Sequence, residues 1–229
     1  MRSPGYASAM SLLRRHGPLK LETETSKLPP MLIVATHNAH KTGEIREILG
    51  DLFDEIEDLT AIPGLEPPEE DGESFAANSK IKALAASRER PDALVLADDS
   101  GLEVDLLGGA PGVHSSRYSG PGATDASNRE KLLVEMARPE LDDQPRTARF
   151  RCVVTAAMGG EVRARFDGTV EGRIAETMTG EGGFGYDPLF IPEGYEQSFG
   201  ELSEDVKNGM SHRGRALEKF RAWWKEQSS

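Results

Sequence analysis

Two short, wholly apolar runs do most to limit the folds open to this 229-residue chain: Met31 to Ala35 (MLIVA) and Ala93 to Ala97 (ALVLA). Each has the length of a strand and is apolar at every position rather than at alternate ones, which is the pattern of a strand covered on both faces. Such strands need helices above and below them, so the runs predict an α/β sheet. The segments between them agree. Thr36-His37-Asn38 is turn and N-cap chemistry, leading into a helix over Lys41 to Leu49 with Ile45, Ile48 and Leu49 on one face and Gly50 as its stop. A Pro- and acid-rich loop, Ile62 to Gly72, precedes a second helix from Glu73 to Arg88, where Phe75, Ile81, Leu84 and Ala85 recur at helical spacing. Asp98-Asp99-Ser100-Gly101 is expected at the carboxyl end of the second apolar run, the place where α/β sheets bind ligands. Further on, a glycine-rich loop (Gly108 to Gly122) leads to a helix from about Asp125 to Ala137. Arg149 to Met158 and Glu161 to Val170 then alternate like two antiparallel strands turned at Gly159-Gly160. A second glycine-rich loop, Gly180 to Phe190, precedes a final helix over Ser211 to Gln227, with Leu217, Phe220 and Trp224 on one face.

A chain of this length with 37% hydrophobic residues predicts one globular unit over 31–229. Met1 to Pro30 reads as a disordered leader or an upstream-start extension. The leader holds five Lys/Arg against two Glu, so of the formal charge of −12 the remainder carries −15. So acidic a surface argues against a nucleic-acid partner, whose binding rests on many Lys/Arg contacts to phosphate, and leaves room for one small anion held by a few cations and a metal. A single cysteine, Cys152, excludes an internal disulfide and predicts a reducing compartment, by default the cytoplasm, with a buried inert thiol. No run approaches membrane-spanning length.

Four constellations carry candidate chemistry. Thr36-His37-Asn38-Ala39-His40-Lys41, between strand and helix, offers backbone N–H groups, the helix dipole and a lysine to a phosphate; a capped turn with a solvated lysine is the competing reading. Asp98-Asp99-Ser100, with Glu69-Glu70 upstream, offers hard oxygen ligands for Mg²⁺ and a group to orient water; an Asp-Ser-Gly turn would look the same. Because neighbouring strand side chains point to opposite faces, one aspartate should face the site, taken as Asp99, and the other should brace the loop. Gly182 to Pro188 sets Phe184 and Tyr186 on a flexible backbone beside Asp187, suited to stacking a base and accepting a hydrogen bond, or simply to capping a core. Lys207 and His212-Arg213 supply donors to phosphate or to a purine carbonyl.

Taken together and in order, ATHNAHKTGEI, EEDGESFAANSKIKA, LADDSGLEVDLLGGAPGVHSSRYSG, GEGGFGYDPLF and KNGMSHRGRAL resemble the inosine triphosphate pyrophosphatase family, which acts on non-standard purine nucleoside triphosphates. The resemblance implies two lobes around a long mixed sheet, a nucleotide cleft between them and a homodimer. It also implies hydrolysis of ITP, dITP or XTP to monophosphate and pyrophosphate with Mg²⁺. Carried over by position, Thr36 to Lys41 and Lys82 hold the triphosphate. Asp99 is the proton acceptor and a metal ligand, Glu70 a second metal ligand, and Ser100 a substrate contact. Phe184, Gly185, Tyr186 and Asp187 enclose the base, Lys207 binds substrate, and His212 and Arg213 read the 6-oxo group. Two positions depart from the family pattern: His37 stands where many members have Gly, and Ala77 replaces a frequent acid. A Maf-like nucleotide pyrophosphatase and a non-catalytic nucleotide-binding regulator are the competing assignments.

Overall fold

The computed structural model describes residues 31–141 and 143–227, and the reading of residues 1–30 as a leader lies outside them. Six strands form one mixed sheet in the order β2-β1-β3-β4-β5-β6. β1 (Met31–Val34) lies parallel to both β2 (Glu55–Glu57) and β3 (Leu94–Val104). The remaining pairings, of β3 with β4 (Thr147–Met158), β4 with β5 (Glu161–Ile174) and β5 with β6 (Phe190–Pro192), are antiparallel. Five helices pack around it: α1 (Ala39–Leu49), α2 (Phe75–Glu89), α3 (Asp125–Met136), α4 (Glu204–Met210) and α5 (His212–Gln227). The chain thus has the α/β architecture that its two apolar runs predict, with three long central strands shared by two lobes.

Strand alternation distributes the core. Leu94 and Leu96 of β3 meet Val154, Ile45, Leu49, Leu217, Phe220 and Trp224, so α1 and α5 cover one face. Val95 and Ala97 point the other way, onto Ala83 and Ala86 of α2, small residues that let the helix sit close to the sheet. Farther along the same strands Leu102 and Val104 join Phe150, Val170, Ile174, Leu132, Met136 and Phe190 in a second core on which α3 packs. Each large aliphatic side chain so buried contributes about 1.5–3 kcal/mol.

β3 differs from its prediction in a way that positions the site. Asp98-Asp99-Ser100-Gly101 does not lie at the strand's carboxyl end; β3 runs through it unbroken, pairing Asp98 with Val154 and Gly101 with Arg151. The four residues occupy the stretch between the two cores. β1, by contrast, stops at Val34 opposite Leu96, and one further bond joins the Ala35 amide to the Leu96 carbonyl. Beyond it, among the described residues, the β1-side edge of β3 lies open until the Leu102 amide reaches the Ser115 hydroxyl. Among the described residues no helix is long and apolar enough to cross a membrane.

Candidate active site

A cavity of about 370 Å³ opens beside this uncovered edge, within the size range of small-molecule sites. The β1–α1 loop brings Thr36, His37, Asn38 and Lys41 to its wall; β3 brings Asp99 and Ser100, and Glu70 and Lys82 stand beside Asp99. From the opposite lobe come Phe184, Gly185, Tyr186 and Asp187, with Lys207 and His212 closing one side. Three of the predicted residues do not line it. Ala39 starts α1 facing away, His40 stacks on Phe184 with ring centroids 5.7 Å apart, and Arg213 lies beneath the floor, 1% exposed.

The β1–α1 loop is held by its own side chains. Asn38 caps α1, its Oδ1 accepting from the His40 amide at 3.0 Å and the Lys41 amide at 3.3 Å, while its own amide donates to Thr36 Oγ1. Two of the N–H groups expected to be free for phosphate are therefore occupied by the cap. Lys41 reaches Asp98 Oδ2 at 2.9 Å.

The two aspartates face opposite sides of β3, as alternation requires. Asp98 braces helices rather than a loop. Its Oδ2 takes the Lys41 ammonium and the Arg213 guanidinium, the latter at 3.0 Å, and Arg213 also donates to Ser100 Oγ and Glu44 Oε2. Burial opposes this charge, but Lys41 and Arg213 outweigh it and hold the Asp98 carboxyl far below the ordinary range. This buried network explains how a charged residue sits in the middle of a central strand. Arg213, expected to read the base, here bonds Glu44, Asp98 and Ser100, with its guanidinium 5.7 Å from the centre of the Phe184 ring.

Asp99 looks toward α2. Lys82 Nζ lies 3.0 Å from its Oδ1 and 3.1 Å from Glu70 Oε2, so one ammonium bridges both carboxylates. Asn78, fully buried, donates to Asp99 Oδ2 at 3.3 Å and accepts the Gly72 amide at 2.8 Å, tying the acidic loop to the strand. Burial pushes the Asp99 carboxyl above the usual carboxylate range despite Lys82. Among the described residues no cluster of three or more His, Cys, Asp or Glu side chains is placed to hold a metal. The pair Asp99 and Glu70 nevertheless suits Mg²⁺, which commonly takes one or two carboxylates and completes its shell with water and substrate phosphates. Lys82 already marks their convergence on a positive charge. Moreover, Lys41, Lys82, Lys207 and Arg213 face Glu44, Glu70, Asp98, Asp99 and Asp187 through direct ion pairs, so the site has no surplus of positive charge for a polyphosphate by itself.

On the far wall, Lys207 Nζ is 2.9 Å from Asp187 Oδ2 and 3.0 Å from Glu44 Oε1, and stands 4.8 Å from the centre of the Phe184 ring. Asp187 Oδ2 also accepts the Phe184 amide at 2.8 Å. One oxygen of that carboxylate is thus a brace within the loop. His212 stacks on Phe150, centroids 4.9 Å apart, and its buried Nδ1 has no hydrogen-bond partner. Burial, reinforced by Arg213 and Lys207, keeps its pKa well below 6.5, so the ring is neutral at pH 7. Ser211 caps α5 by accepting the Gly214 amide at 3.0 Å, which fixes the turn that carries His212. Cys152, the cross-strand partner of Ser100 on β4, is buried with its thiol pushed up to about 12 by burial, in keeping with an inert thiol.

The sequence reading missed Glu44, Asn78 and Ser115. Glu44 follows Lys41 by three residues and looks like any solvated helical acid; only the arrival of α4 and α5 buries it. Ser115 bonds the Leu102 amide and the Gly112 carbonyl, closing the end of the open edge.

The fold recurs in known proteins. Residues 32–223 match the model of the Ham1 family. The chain belongs to that family. Among Ham1-related proteins, the dITP/XTP pyrophosphatase of Desulfotalea psychrophila is 45% identical over 193 residues, 84% of each chain. That of Bacillus subtilis is 44% identical over 188 residues, covering 82% of this chain and 93% of the relative. The solved structure of a HAM1 protein from Coxiella burnetii superposes with a TM-score of 0.76 at 37% identity, covering 86% of this chain and 98% of that one. A dITP/XTP pyrophosphatase from Mycobacterium abscessus gives a TM-score of 0.66 at 36% identity over 83% of this chain and 98% of that one.

Proposed function

We propose that this chain is a Mg²⁺-dependent pyrophosphatase that hydrolyses the non-standard purine nucleoside triphosphates ITP, dITP and XTP to monophosphate and pyrophosphate. The reading is supported by its Ham1 relatives, and one structural observation carries it. A single cavity has a carboxylate–lysine cluster, Asp99, Glu70 and Lys82, on one side and an aromatic–cation wall, Phe184 with Lys207 and His212, on the other. A charged tail and a planar base attached to it match those two ends.

In this mechanism a water oxygen attacks the α-phosphorus, the bond from that phosphorus to the bridging oxygen breaks, and pyrophosphate leaves. Asp99 orients the water and takes its proton, a role favoured by a carboxyl whose pKa burial has raised. Lys82 and Lys41 exchange their carboxylate partners for phosphate oxygens. Asp99 and Glu70 would hold Mg²⁺, which would supply charge neutralisation at the polyphosphate. The base lies against Phe184. Lys207 and the neutral His212 ring offer donors to a 6-oxo group, where adenine would present a donor of its own; an unpaired buried donor in such a site can cost about 10⁴-fold in discrimination. The assembly is a homodimer, which sedimentation velocity would report as a species of about twice 24.9 kDa.

The deciding experiment is steady-state hydrolysis of ITP, XTP, GTP and ATP with Mg²⁺ in ¹⁸O-labelled water, with both products identified. Pyrophosphate and labelled IMP or XMP, formed far faster than GMP or AMP, are expected, together with loss of turnover on chelation and its return with added Mg²⁺. Preference for other modified bases would favour the Maf-like assignment, and tight binding without turnover a regulatory one.

A further inference from the structure

On its own side the Phe184 wall is held by His40, stacked on its ring, and by Asp187, which accepts its amide. On its other side, sharing Asp125 and Phe184 with the substrate cavity, lies a second space of about 430 Å³ bordered also by Gly182, Gly183 and Arg129. Gly183 and Gly185, on either side of Phe184, both have positive φ, 72° and 60°, so the loop backbone is of the kind glycine makes permissive. A pair of hydrogen bonds from α3 adds to those braces. Asp125 Oδ2 accepts the Gly185 amide at 2.8 Å, and Arg129 Nη1 donates to the Gly185 carbonyl at 2.7 Å.

These two residues are four apart on one helix, a spacing at which an acid and an arginine commonly pair with each other. Here both are turned onto Gly185. Capping does not require Asp125, because Thr124 and Ser127 form the capping box of α3. Among the ion pairs of the described residues none involves Arg129, whose charge is thus directed at a neutral carbonyl. α3 itself is anchored: Leu132 and Met136 are in the second core, and Asn128 bonds the Ser119 amide and the Ser116 carbonyl.

We propose that Asp125 and Arg129 are positioning residues which clamp both groups of Gly185 and thereby set the Phe184 wall against the base, governing base discrimination. The inference rests on the pyrophosphatase reading above and adds two residues that bond the backbone of the Phe184 loop, Asp125 at the cavity wall and Arg129 behind it. Releasing the clamp lets the wall yield into the space behind it. The base then loses its reference plane, while the triphosphate end keeps its contacts.

The test is the ratio of kcat/KM for ITP to that for ATP in Asp125→Ala and Arg129→Met. It is read beside the inhibition constant of inorganic triphosphate, which has no base. The ratio is expected to fall about tenfold, mainly through KM for ITP, with inorganic triphosphate changed by less than about twofold and Arg129→Lys recovering most of the loss. Asp125 is exposed at the first turn of α3, so its variant answers the question even if Arg129→Met does not fold. A ratio within about twofold of the parent in folded Asp125→Ala, or an equal loss of inorganic triphosphate binding, overturns the clamp. A parent that does not turn over ITP overturns instead the reading beneath it.

Discussion

Replacing Gly168 by alanine tests whether the site depends on how closely α5 sits on the sheet. Gly168 lies in β5 opposite Cys152, and the first turn of α5 rests directly on it. A methyl group there would stand well inside contact distance of the His212 carbonyl oxygen, 2.7 Å from the Ala216 nitrogen and 3.1 Å from Arg215 Cβ. Two of those atoms are backbone, so no side-chain rotation relieves the clash. α5 must move, and it is pinned by Leu217, Phe220 and Trp224 in the core and by Arg213 on Asp98. Overpacking of this kind costs about 1–3 kcal/mol, and the backbone neighbours place it at the upper end. For a chain of this size that is a fall of roughly 5–10 °C in Tm. A shift of about 1 Å in the turn carrying His212 should lower turnover by up to about 10²-fold. The matched control is Gly43→Ala in the middle of α1, exposed and with open space around it. There alanine should stabilise by about 0.5–1 kcal/mol, raising Tm by roughly 2–4 °C. Thermal denaturation and steady-state hydrolysis on the three proteins decide the matter. A Gly168→Ala protein with parental Tm and parental turnover would refute the idea that backbone approach seats the helix.

Other outcomes follow from the charge pattern. Asp99→Asn should keep the fold by circular dichroism and lose turnover by about 10²-fold or more; parental turnover would remove Asp99 as the base. Arg213→Met leaves Asp98 and Glu44 buried without their guanidinium, an expected loss of about 3–5 kcal/mol in urea denaturation. His212 has a folded pKa below its unfolded value, so the stability of its neutral form is fully present above about pH 6.5 and is lost as pH falls toward the folded pKa. The advantage of the parent over His212→Gln should therefore shrink by about 1.4 kcal/mol per pH unit below that point. An advantage that stays flat from pH 7 to 5 would contradict a neutral buried ring.

Where burial was uniform or periodic, the sequence was readable. β1, α1, α2, α5 and the β4–β5 hairpin with its Gly159-Gly160 turn all announce themselves in the spacing of apolar residues. β2, β6 and α4 do not, being three, three and seven residues long and settled by neighbours rather than by their own pattern. The central misreading, which placed Asp98-Asp99-Ser100-Gly101 at the end of a strand rather than in its middle, has a physical cause. Charged residues in mid-strand look like a break until Lys41, Lys82 and Arg213, contributed by three other segments, are seen to neutralise them. The same long-range pairing hides the roles of Arg213 and Asp187. Their residue types suggest contact with substrate, and only the fold reveals that Glu44, Asp98, Lys207 and a backbone amide already occupy them.

The early end of β1 has a consequence for the protein's behaviour in a crowded solution. An uncovered strand edge is normally a template onto which another chain can add, and proteins commonly blunt such edges with charge, proline or a covering element. Here the bare stretch of β3 is recessed at the bottom of a cavity, walled by the β1–α1 loop on one side and by Ser115 and the Phe184 loop on the other. An incoming strand cannot lie along it. Recession keeps open peptide groups available to a small ligand while denying them to other polypeptides.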